Sequence, residues 1–159
     1  MSKRIVVIPD SQIRPGDDYE FLSHIGQYIV DMQPDIIVHL GDFADMPSLS
    51  SHDKPGSKSM EGKRYIEDVL ATTEAMDVLL EPILTMQEQQ RVNKKKVWKP
   101  RRVMLGGNHE HRINRAVAND TKLEGLISLD DLEYEKKGWE FVPFLEPINI
   151  EGIMFCHYF

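Results

Sequence analysis

Two rhythms of apolar residues alternate along the chain. Residues 5–9 (Ile-Val-Val-Ile-Pro) form an unbroken, mostly β-branched run, which predicts a strand buried on both faces, as in a parallel sheet. Polar residues follow from Asp10 to Asp18, with Pro15-Gly16 marking a turn. Phe21, Leu22, Ile25, Tyr28, Ile29 and Met32 then recur at helical spacing, and Pro34 ends that helix. Residues 36–40 (Ile-Ile-Val-His-Leu) repeat the buried-strand pattern. The opening therefore reads strand–helix–strand, a parallel and right-handed unit of an α/β fold.

Residues 42–60 lack either rhythm and are rich in serine, proline and glycine. A loop of that length inside a compact domain is usually functional or mobile. From Glu61 a long helical pattern runs through Ile66, Val69, Leu70, Thr73, Met76, Leu80, Ile83 and Leu84, and Pro82 inside it predicts a kink or a break. Residues 102–105 read as a third strand, ending at Gly106-Gly107, and helices are expected over 110–119 and 130–137. Residues 148–150 and 153–156 flank Glu151-Gly152 as a hairpin, and the apolar pattern continues through Tyr158 and Phe159.

Composition narrows the class. The 159 residues suit one domain, and 41% hydrophobic with 28% charged residues describes a soluble globular chain. With 19 basic and 26 acidic residues the net charge is 19 − 26 = −7, so no overall field draws the chain to nucleic acid or an anionic membrane. Residues 91–102 hold seven of the 19 basic residues, as a solvated linker or as a local phosphate-attracting patch. The one cysteine, Cys156, excludes a disulfide framework and a Cys-based zinc site and reads as core. There is no apolar run of membrane-spanning length and no signal-peptide pattern at the N-terminus, so the expected compartment is the cytoplasm.

The candidate chemistry lies where the strands end. The first ends at Asp10-Ser11-Gln12, the second at Gly41-Asp42-Phe43-Ala44-Asp45, the third at Gly106-Gly107-Asn108-His109-Glu110. Sites in open α/β sheets gather beyond the carboxyl ends of strands, so three such ends would converge on one rim. The residue types suit a pair of divalent cations. Asp42 has two oxygens with which to bridge, Asn108 offers a carbonyl oxygen, and His109 is left to act on a substrate. Gly41 and Gly107 would let the backbone bend and bring the next side chain close to an ion.

The set Asp10-x-Gln12, Gly41-Asp42-x-x-Asp45 and Gly107-Asn108-His109-Glu110 resembles the blocks of the calcineurin-like metallophosphoesterases, and His157 stands where the family's next histidine falls. The resemblance covers nearly the whole chain. It implies a β-sandwich flanked by helices and two divalent metal ions, with Asp10 and Gln12 on the first, Asp42 bridging, and Asn108 and His157 on the second. It further implies His109 as the residue that protonates the leaving alkoxide or steadies the transferring phosphoryl group. Arg112 follows as in the Asn-His-Glu-x-Arg variant of the block and would touch substrate phosphate. Gln12 replaces the usual histidine, so the first site is all oxygen, which suits Mn²⁺ or Mg²⁺ better than Zn²⁺, with Fe as a further candidate. The family's last block, Gly-His-x-His, does not occur in these residues. The expectation is therefore one phosphoesterase domain over 1–159, incomplete at its C-terminus.

The implied function is metal-dependent hydrolysis of a phosphoester, diester or monoester, with a nucleotide or nucleic acid among the candidate substrates. The alternative is a catalytically impaired metal-binding or interaction module. A nuclease of the His-Asn-His type, built on Asn108 to His111, fits poorly because a strand feeds directly into the block. Several residues carry blander readings. Asp45 either orients a ligand or caps a turn, and His157 rivals as a buried strand histidine. His39 reads as a hydrogen-bonded interior residue, His24 and His52 as solvated, His111 as facing away from the metals, and Trp98 and Trp139 as packing residues.

Overall fold

A computed structural model describes residues 2–54 and 56–158. Pro55 of the long loop and Phe159 lie outside them. The expected continuation of the last strand through Tyr158 does not occur, because that strand ends at Phe155. Four parallel strands form one sheet in the order β1 (Ile5–Ile8), β2 (Ile36–His39), β3 (Arg101–Leu105), β4 (Glu140–Val142). A separate antiparallel pair, β5 (Ile148–Ile150) and β6 (Ile153–Phe155), forms the expected hairpin. The helices are α1 (Glu20–Met32), α2 (Tyr65–Val92) and α3 (His111–Asn119).

Strand alternation sorts the core into two layers. Ile8, Ile37 and Met104 point to one face and pack with Leu22 and Ile29 of α1 and Met76, Leu79 and Ile83 of α2. Ile36, Val38, Val103, Leu105 and Val142 point to the other and pack against Ile150 and Phe155 of the hairpin. The sheet thus lies between a helical layer and a small second sheet, the mixed α/β arrangement expected from the resemblance. β2 is buried at every position, but Val7 of β1 is 43% exposed. The expected two-sided burial of β1 fails because β1 is an edge strand that the hairpin leaves uncovered.

α1 ends where expected: Gln33 takes the left-handed conformation, its N–H returns to Ile29 O at 2.9 Å, and Pro34 follows. α2 runs as one helix across Pro82, so of the expected kink or break the break does not occur. The lost hydrogen bond is offset by packing, since Leu79, Leu80 and Ile83 around the proline are all buried. α1 can approach this turn because Gly26 faces it. A Cβ on Gly26 would overlap Leu79 O and sit 3.1 Å from the Pro82 ring.

The helix expected over 130–137 is instead a 3₁₀ turn at Leu129–Leu132, held by a Ser128–Asp131 capping box, followed by turns. These lead into β4, which the sequence reading missed. Three residues before a proline carry too little periodicity to read, and burial of Trp139 (3% exposed) beside Met76 places the segment. Trp98 also packs, its indole donating to Pro34 O at 2.8 Å. The basic stretch is mostly a solvated linker. Lys94, Lys95, Lys96 and Lys99 are exposed, Arg101 pairs with Glu140 at 2.8 Å, and Arg102 lies over the Trp139 ring. No helix among the described residues is long and apolar enough to cross a membrane.

Candidate metal centre

The loops after β1, β2 and β3 meet at the carboxyl edge of the sheet. Ser11 N–H and Gln12 N–H both donate to Asp42 O, at 3.1 and 2.8 Å, and Ile13 pairs with Ala44. The first two loops are therefore stitched backbone to backbone. Backbone with positive φ occurs in both of these loops, at Gln12 (φ 48°), Gly41 (φ 102°) and Asp42 (φ 51°). Non-glycine residues hold such angles only where the surroundings impose them, a pattern common at functional sites.

Glu110 does much of the imposing. It is buried, with Oε2 accepting from Asp42 N–H (3.0 Å) and Gly107 N–H (2.9 Å) and Oε1 from Ala44 N–H (3.0 Å) and Tyr134 O–H (3.0 Å). Burial pushes its carboxyl pKa up, and the backbone donors oppose that. One carboxylate thus ties the second loop to the third. Glycine at 107 is required for a reason other than bending: an added Cβ would overlap Asp42 Oδ1. At Gly41 both conditions hold, a positive φ and a Cβ that would lie 2.7 Å from His157 Nδ1.

Within this frame Asp10, Asp42 and His157 each offer a ligand atom, all within 4.8 Å of one another. His157 Nδ1 lies 2.7 Å from Leu40 O; a carbonyl only accepts, so Nδ1 carries the proton. In the neutral ring Nε2 then presents a lone pair, 3.4 Å from Asp42 Oδ2 and 3.1 Å from Asn108 Oδ1. Acceptors facing one another with no donor between them suit a cation, and the mixed oxygen and imidazole set suits a divalent one. Tyr158 O–H donates to Asn108 Oδ1 at 2.9 Å. The Gln12 backbone sits on the rim, with its side chain exposed.

His109 faces the same centre from the side. Its backbone N–H donates to Asp42 Oδ1 at 2.9 Å, and Nε2 lies 3.8 Å from Asp42 Oδ2. Nδ1 is bound by Asp45, 2.6 Å from Oδ1 and 2.9 Å from the backbone oxygen. Asp45 is thus an orienting residue, the first of the two roles its position allowed. Its bond raises the His109 pKa above the ordinary value, with the Asp42 charge adding to the effect and burial opposing it. Burial pulls Asp45 itself upward, but the bond from His109 and the charges of His109, Arg14 and Arg112 hold it below the usual range. Arg14, which no motif marked, braces Asp45 through Nε at 2.8 Å.

Arg112 is buried, with Nη1 donating to Asp45 O (2.9 Å) and Met46 O (3.3 Å). It shapes the loop that carries Asp45 and also lines a cavity of about 540 Å³ shared with Arg14, Asp45, Arg64, Asp68 and His109. His39 is fully buried and hydrogen-bonded, as expected, and burial pushes its pKa down to about 3. His24 and His52 are exposed, and Cys156 is buried. His111 stays outside the metal group, its ring 5.0 Å from Phe144.

Sequence comparison agrees with this geometry. The family model for calcineurin-like phosphoesterases matches residues 3–158. The chain is 50% identical over 68 residues, 43% of its length, to the Gene 54 protein of Mycobacterium phage L5. It is 52% identical over 58 residues, 36% of its length, to the Gene 54 protein of Mycobacterium phage D29. The matched stretches are 26% and 22% of those relatives, so the match spans only about a quarter of their length. With a family match over nearly its whole length and the loops that carry the candidate ligands gathered at one sheet edge, the chain belongs to the calcineurin-like phosphoesterases, a family whose chemistry is metal-dependent phosphoester hydrolysis.

Proposed function

We propose that this chain hydrolyses a phosphoester at two divalent cations, with Mn²⁺ the preferred metal. Asp10, Gln12 and Asp42 would hold the first cation, and Asp42, Asn108 and His157 the second. When bound, the cations would supply an activated water and offset charge on the phosphoryl oxygens. The preference for Mn²⁺ rests on the oxygen-only set at the first position.

The protein's own groups supply the rest. Nδ1–H of His109 is fixed on Asp45, so Nε2 is aimed at the centre, and its raised pKa favours a proton there for a leaving alkoxide. The cavity begins at His109, so the departing group has a place to sit. Arg112 would reach substrate from the cavity wall with the part of its guanidinium that the loop carbonyls do not hold. The observation that carries this reading is the convergence of Asp10, Asp42 and His157 acceptors beside a histidine oriented by a carboxylate.

Turnover of bis(p-nitrophenyl) phosphate by chelator-stripped protein with added Mn²⁺ tests it. Wild-type protein should turn over only with metal. His109→Ala should lose roughly 10²–10⁴-fold in kcat with Mn²⁺ affinity unchanged. Tight Mn²⁺ binding without turnover of this diester or of p-nitrophenyl phosphate would contradict the reading and leave the metal-binding module in its place.

A further inference from the structure

His39 is 0% exposed and takes no part in the chemistry above. It lies on β2 facing the helical layer, where an apolar side chain would be the default. Its ring instead spans two of the loops that carry ligands. Gly41 N–H donates to Nδ1 at 3.2 Å, so Nδ1 is the acceptor and the proton of the neutral ring sits on Nε2. Nε2–H then donates to Ser11 Oγ, 3.0 Å away. The Phe43 ring packs edge-on at 5.3 Å and fixes the plane of the imidazole.

We propose that His39 is a positioning residue for the metal centre, locking the Asp10–Gln12 loop to the Gly41–Asp42 turn through Ser11. The inference rests on the metal-centre reading. Backbone bonds tie the loop from Ser11 onward: Ser11 and Gln12 N–H to Asp42 O, Ile13 N–H to Phe43 O at 2.8 Å and Asp45 N–H to Ile13 O at 3.0 Å. Before the loop, Leu40 N–H to Ile8 O at 2.9 Å holds the end of the strand. The Ser11–His39 bond adds a side-chain anchor next to Asp10, between those two sets, and limits how far Asp10 can pivot from Asp42 and His157. A centre whose ligand atoms lie within 4.8 Å of one another tolerates little pivot. Partners that orient the residues holding a metal typically alter affinity 10–100-fold when removed.

The two ring nitrogens can be imitated one at a time. Gln at 39 can place an amide N–H₂ near the Nε2 position and keep the bond to Ser11. Asn can place its oxygen near Nδ1 and keep the bond from Gly41, but it is too short to reach Ser11. Leu keeps neither. Calorimetric Mn²⁺ titration of the stripped full chain, with thermal melting run in parallel, separates anchoring from general stability. His39→Asn, His39→Leu and Ser11→Ala should each weaken the tighter Mn²⁺ event about tenfold or more. His39→Gln should stay within about threefold of wild type even where its melting temperature falls with the Gly41 N–H left unpaired. The proposal is overturned if Ser11→Ala binds Mn²⁺ like wild type, or if His39→Gln weakens binding as much as His39→Leu. Should His39→Leu fail to fold, Ser11→Ala and the Asn–Gln pair decide alone. Wild-type protein that binds no Mn²⁺ would instead sink the underlying metal-centre reading, and this inference with it.

Discussion

At the scale of single residues, the centre depends on side chains that never touch a metal. Asp45 holds His109 by Nδ1, and Arg14 and Arg112 hold Asp45 or its backbone. Asp45→Ala should therefore lower kcat by roughly 10–100-fold while leaving the Mn²⁺ affinity of the stripped protein unchanged, because the ligands to the cations stay in place. Gly107→Ala should do the reverse of a mild glycine change. Its Cβ would overlap Asp42 Oδ1, so Mn²⁺ binding should be lost in a protein that still shows native circular dichroism. Glycine is needed at 107, but for a cause the sequence does not display: the carboxylate of Asp42, and not a bend, excludes a side chain there. Glu110 stood inside a quoted motif without a role, because four hydrogen bonds to partners as distant as Asp42 and Tyr134 leave no local trace. Arg14 and Tyr134 carried no signal at all.

At the scale of elements, the helices were legible where periodicity was long and the strands where they were apolar throughout. α1 and β2 fall within a residue or two of their expected bounds, since caps and prolines punctuate them. β4 and the turns before it were not, because long-range burial of Trp139 decides their course. The same logic governs α2. Proline argued for a kink or a break, and the helix continues without a break, its Pro82 turn facing Gly26 of α1. Gly26→Ala would force a methyl into the backbone oxygen of Leu79, and overpacking of this kind costs about 1–3 kcal/mol. Chemical denaturation should show that loss with an unchanged m-value, and Mn²⁺ affinity should be untouched, because the α1–α2 contact lies on the helical layer and not at the carboxyl edge.

At the scale of the whole molecule, polarity of the parallel sheet decides what can act on a substrate. The site lies beyond Leu105, at the carboxyl end of β3, while the basic stretch enters at Arg101, the opposite end, roughly 13 Å away along the strand. Composition suggested a possible phosphate-attracting patch, but only the fold says which edge it occupies. Replacing Lys94, Lys95 and Lys96 together by Gln should leave kcat/KM for bis(p-nitrophenyl) phosphate within about twofold, with moderate salt making no difference between the two proteins. On the proposed reading, phosphate recognition would fall to the rim itself, to the cations, His109 and Arg112, in a chain whose net charge of −7 offers no general attraction.

The claim on which the rest depends is that Asp10, Gln12, Asp42, Asn108 and His157 form a divalent metal centre with Asp42 at its middle. Mn²⁺ titration of the stripped protein beside Asp42→Asn tests it most directly. Two Mn²⁺ per chain in the wild type, both lost or weakened at least tenfold in Asp42→Asn, is the predicted result. A flat wild-type titration, or an Asp42→Asn titration that overlays the wild type, would contradict it.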